Sequence, residues 1–299
     1  MGMPLDVTRE QLHADLREYA RLAEVGYDPA VVNAVLDALG DEFWPQSWLA
    51  VRTTTHAVDE RELSIRFVNL PAAANAPDRL RAEGLLEFTG HPMEKVLAAI
   101  SATEPVQWGV DVGVTSGVQK IWASFPELIP VDRLLAVDGV PESARAHTGH
   151  LKRWGGDQLA LIAMDFASRT MNLYASIQAP GQITPENIVA ILAELGFVPP
   201  SEEELTVLAS PFTIYRTFSW TSPNILRICF PARYFRDQFP DLDPTLSRFA
   251  TGPVAGPGPH AAAFYAAYGP SGKYYKIQAD YTSPMRFVLP GGAEVPQQR

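Results

Sequence analysis

The amino-acid sequence predicts an α+β fold, a ten-stranded antiparallel β-barrel built from five αββα repeats and surrounded by helices. Three observations favour this fold. Paired strands recur about every 50–60 residues by their alternation of apolar and polar side chains. Helical segments separate successive pairs, and the two faces of each strand differ in character. An open α+β sheet is the alternative that the order of the elements leaves possible.

The five strand pairs are predicted at residues 47–69, 107–125, 157–177, 210–230 and 261–281. The helical segments carry the usual boundary signals, with proline in the first turn and glycine after the last. A charged amphipathic helix is predicted in MGMPLDVTREQLHADLREYA at the N-terminus. The other predicted helices are PAVVNAVLDALGDEF, PDRLRAEGLLEF, HPMEKVLAAISA, PESARAHTGHLKRW, TPENIVAILAELGF and ARYFRDQFPDLDPTLSRFA.

The faces of the strands favour a closed barrel. In GKYYKIQADY, Tyr274, Lys276, Gln278 and Asp280 share one face, which suits either solvent or a wet chamber inside the sheet. Across the strands, the polar faces are rich in Tyr, Trp and Thr, which a purely solvated face would seldom be. The opposite faces are apolar and suit a layer of helices. Closing the sheet removes its edges and turns the polar faces into a lumen. The apolar faces are predicted to include Leu63, Ile65, Phe67, Ile121, Ala123, Phe125, Met171, Leu173, Ile177, Leu226, Ile228 and Phe230.

Composition limits the function. The 299 residues form one predicted domain, residues 1–299, in which the tail at 287–299 is expected to be flexible. The net charge of −10 argues against a nucleic-acid partner, since phosphate binding needs a basic face. Cys229 is the only cysteine, and the six histidines show no metal-ligand spacing. No signal peptide or membrane-spanning stretch is recognisable, so a cytoplasmic protein without a membrane partner is expected.

Several motifs, spaced in order over about residues 45–285, resemble the soluble aromatic prenyltransferases of the ABBA fold, the CloQ/NphB type. They include TGHPMEKVL, the hairpin VDVGVTSGVQKIWASFP, the tripeptide N-L-Y at 172–174, Tyr215 twelve residues before Arg227, and Y-Y-K at 274–276. The resemblance implies a ten-stranded barrel, the PT barrel. It also implies transfer of an allylic prenyl group from a diphosphate to an electron-rich aromatic ring.

The resemblance carries over a diphosphate site, because ionisation of the donor needs converging cationic and hydrogen-bonding groups. Arg52 and Arg66 also face the lumen by the strand alternation and would add positive charge at the same end. The matching positions of the family site are Lys120, Asn172, Tyr215, Arg227 and Lys276.

Two positions depart from the family pattern. Magnesium-dependent members carry an aspartate in a motif like E-L-D, where ELSIR places Ser64, with Arg66 two residues later. A hydroxyl is a poor substitute for a carboxylate ligand of magnesium, so the resemblance implies the magnesium-independent branch, with no metal or other cofactor. Ser168 stands where some members carry a diphosphate-binding lysine, so one contact is expected to be lost.

The carbocation and the acceptor ring need π faces, which attract positive charge without reacting with it. Candidates on the lumen are Trp122, Tyr174, Tyr215, Phe212, Thr213 and Tyr274, with Gln278 orienting the acceptor. Asp280, where some relatives carry tyrosine, is the candidate catalytic base. The competing interpretation makes this carboxylate a salt-bridge partner of Lys276 or Arg286.

The favoured reaction is transfer of dimethylallyl to a small aromatic acceptor in secondary metabolism by Friedel-Crafts-type substitution. Trp122 stands where geranyl-using relatives have a smaller tyrosine, which favours the five-carbon donor over geranyl. A non-catalytic barrel that binds an aromatic molecule, and a diphosphate hydrolase or cyclase, remain alternatives. The family suggests a monomer.

Overall fold

The computed structural model describes residues 7–179, 181–256 and 260–282. Ten helices and ten strands alternate along these ranges in the predicted order. The helices are α1 (Arg9–Ala23), α2 (Pro29–Leu39), α3 (Ala76–Ala82), α4 (Pro92–Thr103), α5 (Val131–Leu135), α6 (Glu142–Ala146), α7 (Thr148–Arg153), α8 (Pro185–Leu195), α9 (Glu202–Val207) and α10 (Pro244–Ala250). The strands are β1 (Trp48–Thr54), β2 (Ser64–Leu70), β3 (Gln107–Gly113), β4 (Gly117–Pro130), β5 (Gln158–Asp165), β6 (Thr170–Ala175), β7 (Tyr215–Ser219), β8 (Arg227–Phe235), β9 (Ala261–Gly269) and β10 (Gly272–Asp280).

The ten strands form one closed antiparallel barrel, as the alternation predicts. Each strand pairs with its neighbours in the sequence, and β1 pairs with β10 to close the sheet. In the closing pair Arg52 lies opposite Gln278, and Thr54 lies opposite Lys276. The five hairpin turns therefore lie at one end of the barrel, here called the hairpin end. The connections that contain helices lie at the other, here called the helix end.

The core lies between the outer face of the barrel and the helices. Ile65, Phe67, Met171 and Phe230 point outward from their strands and are fully buried. Several helices begin where their sequences predict. Thr184 and Asn187 form a reciprocal capping box ahead of α8, for example, and Pro185 occupies its first turn. None of the helices in the described ranges is long and apolar enough to cross a bilayer.

The structure corrects several expectations. Phe125, predicted on an outer apolar face, lines the interior of the barrel beside Ser124, where the pairing of β4 with β5 becomes irregular. The segment ARYFRDQFPDLDPTLSRFA is mostly not helical, because β8 continues to Phe235 by pairing with the whole of β9. Only the stretch that Asp243 caps becomes a helix, α10. Ile177 is not on an apolar buried face, because β6 ends at Ala175 and Ile177 is 44% exposed. The predicted flexible tail at 287–299 and Arg286 lie outside the described residues.

Candidate active site

The barrel encloses a cavity of about 340 Å³ that most of the predicted site residues line. The strand pairing brings these side chains together from seven of the ten strands and the segment before β7. Asp280 and Tyr274 are the two predicted residues that are not among the lining groups. Those that line the cavity are Arg52, Arg66, Lys120, Trp122, Asn172, Tyr174, Phe212, Thr213, Tyr215, Arg227, Lys276 and Gln278.

The hairpin end of the cavity has an excess of positive charge. Five cationic side chains converge there, and among the residues that the structure describes two carboxylates, Asp111 and Asp165, form ion pairs with them. Five positive and two negative charges leave an excess of three. A prenyl diphosphate carries about three negative charges near neutral pH, so the site can neutralise it. The cations are Arg52, Arg66, Lys120, Arg227 and Lys276.

Both carboxylates hold cations in place. Asp111 Oδ2 lies 3.0 Å from Arg66 Nη2 and 3.6 Å from Arg52 Nη2. Burial opposes ionisation of Asp111, but the neighbouring cations, Arg52 first, outweigh it and hold its pKa well below the usual range. Lys120 pairs with Asp165, yet burial lowers the pKa of Lys120 to about 8. The lysine is therefore protonated at neutral pH but close to titration.

Two other cations at this end have no carboxylate partner within the described part of the chain. Arg227 Nη1 lies 3.2 Å from the hydroxyl of Tyr274, and Lys276 Nζ lies 5.3 Å from the centre of the same ring. Burial would raise the pKa of Tyr274, but these two cations outweigh it and lower it to about 8. Their charge is thus available to a bound anion.

A neutral donor at the hairpin end is also unused. Asn172 accepts a hydrogen bond from the hydroxyl of Thr217 at 2.6 Å, which fixes its amide. Its Nδ2 is buried without a hydrogen-bond partner among the residues that the structure describes. A buried N–H group without a partner is costly, so this donor fits a ligand oxygen.

The two serines that depart from the family pattern are occupied by internal contacts. Arg52 Nε donates to Ser64 Oγ at 3.1 Å. The backbone N–H of Ser168 donates to Asp165 at 2.8 Å, and its hydroxyl lies 2.9 Å from that of Thr170. Ser168 therefore supports the carboxylate that pairs with Lys120.

A row of aromatic rings crosses the middle of the cavity. Trp122 Nε1 donates to the hydroxyl of Tyr174 at 3.2 Å, and the ring centres of Tyr174 and Tyr215 are 4.2 Å apart. Tyr265 continues the row, 6.0 Å from Tyr215. The indole lies across Gly109, where an added Cβ would meet its ring at 2.5 Å. Next to the hairpin end, the row offers π faces that can stabilise a cation.

Arg66 occupies one of these π faces. Its Cζ lies 5.1 Å from the centre of the Trp122 ring, and Nη1 donates to Gln278 Oε1. Gln278 also accepts from the hydroxyl of Tyr265 at 3.2 Å. These two bonds fix Gln278 in the middle of the cavity. Arg66 lies where the cations of the hairpin end meet the row of aromatic rings.

Asp280 is placed differently from the expectation. It is fully buried beside the helix end and contacts Arg233, not Lys276. Burial raises the pKa of Asp280 to about 6 in spite of Arg233. A pKa near neutrality suits a base, but a carboxylate outside the cavity lining has no direct access to an acceptor. Arg233 lines the cavity in its place.

Sequence reasoning missed Asp111, Asp165, Tyr265, Arg233 and Trp48. The alternation contained the signal for Asp111, which lies opposite Lys120 and therefore shares its face. Asp165 is likewise opposite Lys120 on the other neighbouring strand. Arg233 was assigned to a predicted helix, so its inward direction could not be recognised.

Comparison with known proteins identifies relatives of this chain. The model of the family "Aromatic prenyltransferase Orf2" matches residues 7–292. The 5,10-dihydrophenazine-1-carboxylate 9-dimethylallyltransferase of Streptomyces anulatus is 28% identical over 90% of this chain and 91% of its own. The flaviolin linalyltransferase of Streptomyces virginiae is 30% identical over 74% of both chains.

The fold also matches solved structures. The 6-dimethylallyltryptophan synthase of Micromonospora olivasterospora, solved in complex with DMASPP and Trp, superposes with a TM-score of 0.58 at 14% identity. The match covers 92% of this chain and 98% of that one. At this identity the likeness shows the PT-barrel fold alone. The family match covers nearly the whole chain, and the chain therefore belongs to the aromatic prenyltransferase Orf2 family.

Proposed function

We propose that this aromatic prenyltransferase transfers a dimethylallyl group from its diphosphate to a small, electron-rich aromatic acceptor without a metal ion. The observation that carries the proposal is the excess of three positive charges at the hairpin end, directly beside the row of aromatic rings. The relatives named above are dimethylallyl- and linalyltransferases, which supports a prenyl donor.

The residues account for each step of such a reaction. The C–O bond of the donor breaks, and its electron pair leaves with the diphosphate, which Arg227, Lys276 and Lys120 hold. Preorganised cations stabilise the charge that develops on the leaving oxygen. The allylic cation then lies against Tyr174 and Tyr215, whose faces stabilise it. A ring carbon of the acceptor forms the new C–C bond and loses its proton.

Two groups can take the proton that the ring carbon loses, namely the carboxylate of Asp280 and water. Asp280 was expected to take this proton, but its carboxylate is bound to Arg233 behind the cavity wall. Water that enters at the helix end is the alternative base. A role for Asp280 would require Arg233 to move aside.

The groups at the hairpin end do not fit a magnesium ion. Ser64 offers a hydroxyl that already accepts from Arg52. Asp111 is held by two arginines, and Asp165 is held by Lys120. A hard divalent cation needs carboxylate oxygens that are not already neutralised by cations. The arginines and lysines themselves supply the charge that magnesium supplies elsewhere.

The five-carbon donor is supported by the position of Trp122. Its indole is held by Tyr174 and lies against Gly109, so a large rigid ring fills one side of the cavity. A ten-carbon chain would need that space.

Release of pyrophosphate tests the proposal. The protein is mixed with dimethylallyl diphosphate and a panel of hydroxynaphthalenes, hydroxybenzoates, phenazines and indoles. We expect pyrophosphate release that depends on an aromatic, with a prenylated product by mass spectrometry. Release without any aromatic would indicate a hydrolase or cyclase. Donor and aromatic binding without release would indicate a carrier.

A further inference from the structure

The helix end of the cavity contains the buried guanidinium of Arg233, which lies too far from the hairpin end to bind the diphosphate. Arg233 lies six residues after Arg227 on β8, so their Cα atoms are about 20 Å apart by the rise of a strand. The side chain of Arg233 lines the cavity and is 5% exposed. This distance leaves room for a prenyl group and an aromatic ring between the two arginines.

The surroundings fix Arg233 but use little of its hydrogen-bonding capacity. Its Cζ lies 5.3 Å from the centre of the Trp48 ring, and Nη2 donates to Asp280 Oδ2. The Nε group is buried without a partner in the described ranges, and so is Asp280 Oδ1. The contact is therefore not the bidentate pair that arginine and carboxylate usually form. A guanidinium has five N–H donors, and the single contact with Asp280 does not use all of them.

The cavity wall around Arg233 suits a flat ring with an anionic substituent. Trp48, Phe212 and Phe125 line the same end and offer apolar and aromatic surface. Among charged oxygen groups, a carboxylate matches the planar fork of a guanidinium. A neutral acceptor would leave the remaining N–H donors of a nearly buried cation unsatisfied, which is costly.

We propose that Arg233 binds a carboxylate on the acceptor, so that the aromatic substrate is an aromatic acid held by this group at the end opposite to the diphosphate. The inference rests on the proposed function for the view that the bound ring is an acceptor. The arginine then determines both which acceptors bind and how they are oriented. A ring anchored at Arg233 presents its far edge to the prenyl cation at Tyr174 and Tyr215.

Binding experiments test this without turnover. The probes are three acids of increasing size, a hydroxybenzoate, a hydroxynaphthoate and a phenazine carboxylate, each with its neutral carboxamide. They are titrated calorimetrically into protein saturated with dimethylallyl S-thiolodiphosphate, which does not react. We expect at least one acid to bind tenfold or more tightly than its amide. Arg233→Met should abolish the difference and leave the dissociation constant of the amide within about twofold.

Two further variants make the result interpretable. Arg21→Met is the matched control, because Arg21 is 69% exposed on α1, and it should keep the preference for the acid. Since Arg233→Met leaves Asp280 buried without a partner, the double variant Arg233→Met/Asp280→Asn removes both charges and is the second test. It should fold and show no preference.

The outcomes separate this inference from the proposed function. Absence of any preference for the three acids in the wild-type protein, or an undiminished preference in the folded double variant, would overturn the role of Arg233. Pyrophosphate release is measured on the same samples with the reactive donor. A preference that depends on Arg233 but is accompanied by no release would refute prenyl transfer and leave the carboxylate site standing.

Discussion

Replacing Arg227 by methionine should have opposite effects on catalysis and on stability. Arg227 donates to Tyr274, and it lacks a carboxylate partner in the part of the chain that the structure describes. In the free protein it repels the other buried cations. At an effective dielectric constant of about 20, two like unit charges about 4 Å apart repel each other by roughly 4 kcal/mol, and the repulsion falls in inverse proportion to their separation. The variant should therefore be at least as stable as the wild type.

The cost of the same change appears in the reaction. Loss of one preorganised donor to a developing anion costs about 2.7–4 kcal/mol, or 10²–10³-fold. We expect kcat/KM for dimethylallyl diphosphate to fall by roughly 10²-fold or more. Pyrophosphate release gives the rate, and thermal unfolding without ligand gives the stability.

Lys120→Met is the contrasting variant. It should lose activity to a similar extent, but it also leaves the buried Asp165 without its cation. Breaking a buried ion pair costs about 3–5 kcal/mol, so this variant should unfold at a clearly lower temperature. Wild-type kinetics in Arg227→Met would place the diphosphate elsewhere. An Arg227→Met protein less stable than Lys120→Met would refute the charge argument.

Three other predictions follow from the cavity. Turnover should survive excess EDTA, because Arg66 and its neighbours supply the charge and Ser64 offers no carboxylate; activity that disappears and returns with magnesium would contradict this. Trp122→Ala should raise kcat/KM for geranyl diphosphate relative to dimethylallyl diphosphate. If the wild-type enzyme already prefers geranyl diphosphate, the assignment of donor length is wrong. The affinity for dimethylallyl S-thiolodiphosphate should fall as the pH rises from about 7 to 9, because Lys120, with its pKa lowered to about 8, loses its proton in this range. Tyr274 ionises in the same range and adds to the fall, so Lys120→Arg should reduce it and Tyr274→Phe should reduce it separately.

Much of the site could be predicted from strand alternation and the family resemblance. A strand places every second residue on one face, so Lys276 and Gln278 could be assigned to the lumen once the barrel was assumed. The closing of the sheet into a barrel could also be predicted, because one face of each strand is apolar and the opposite face carries aromatic and charged side chains.

The contacts inside the lumen could not be predicted in this way. Alternation gives the direction of a side chain but not its level in the barrel, which depends on the register of neighbouring strands. Asp280 and Lys276 share a face, yet the partner of Asp280 is Arg233, two strands away across β9. The inward direction of Arg233 depends on β8 continuing to Phe235, and the pairing with β9 decides this where local sequence favours a helix.

The pairing of β1 with β10 also has a consequence for folding. Arg52 and Lys276 belong to the two strands that close the barrel, more than 200 positions apart in the sequence. Contacts of such separation form late, because a long loop must close before they are gained. A nascent or partly unfolded chain therefore presents an open sheet without its full set of cations. The capacity to ionise a prenyl donor therefore appears only when the last pair of strands has closed the barrel.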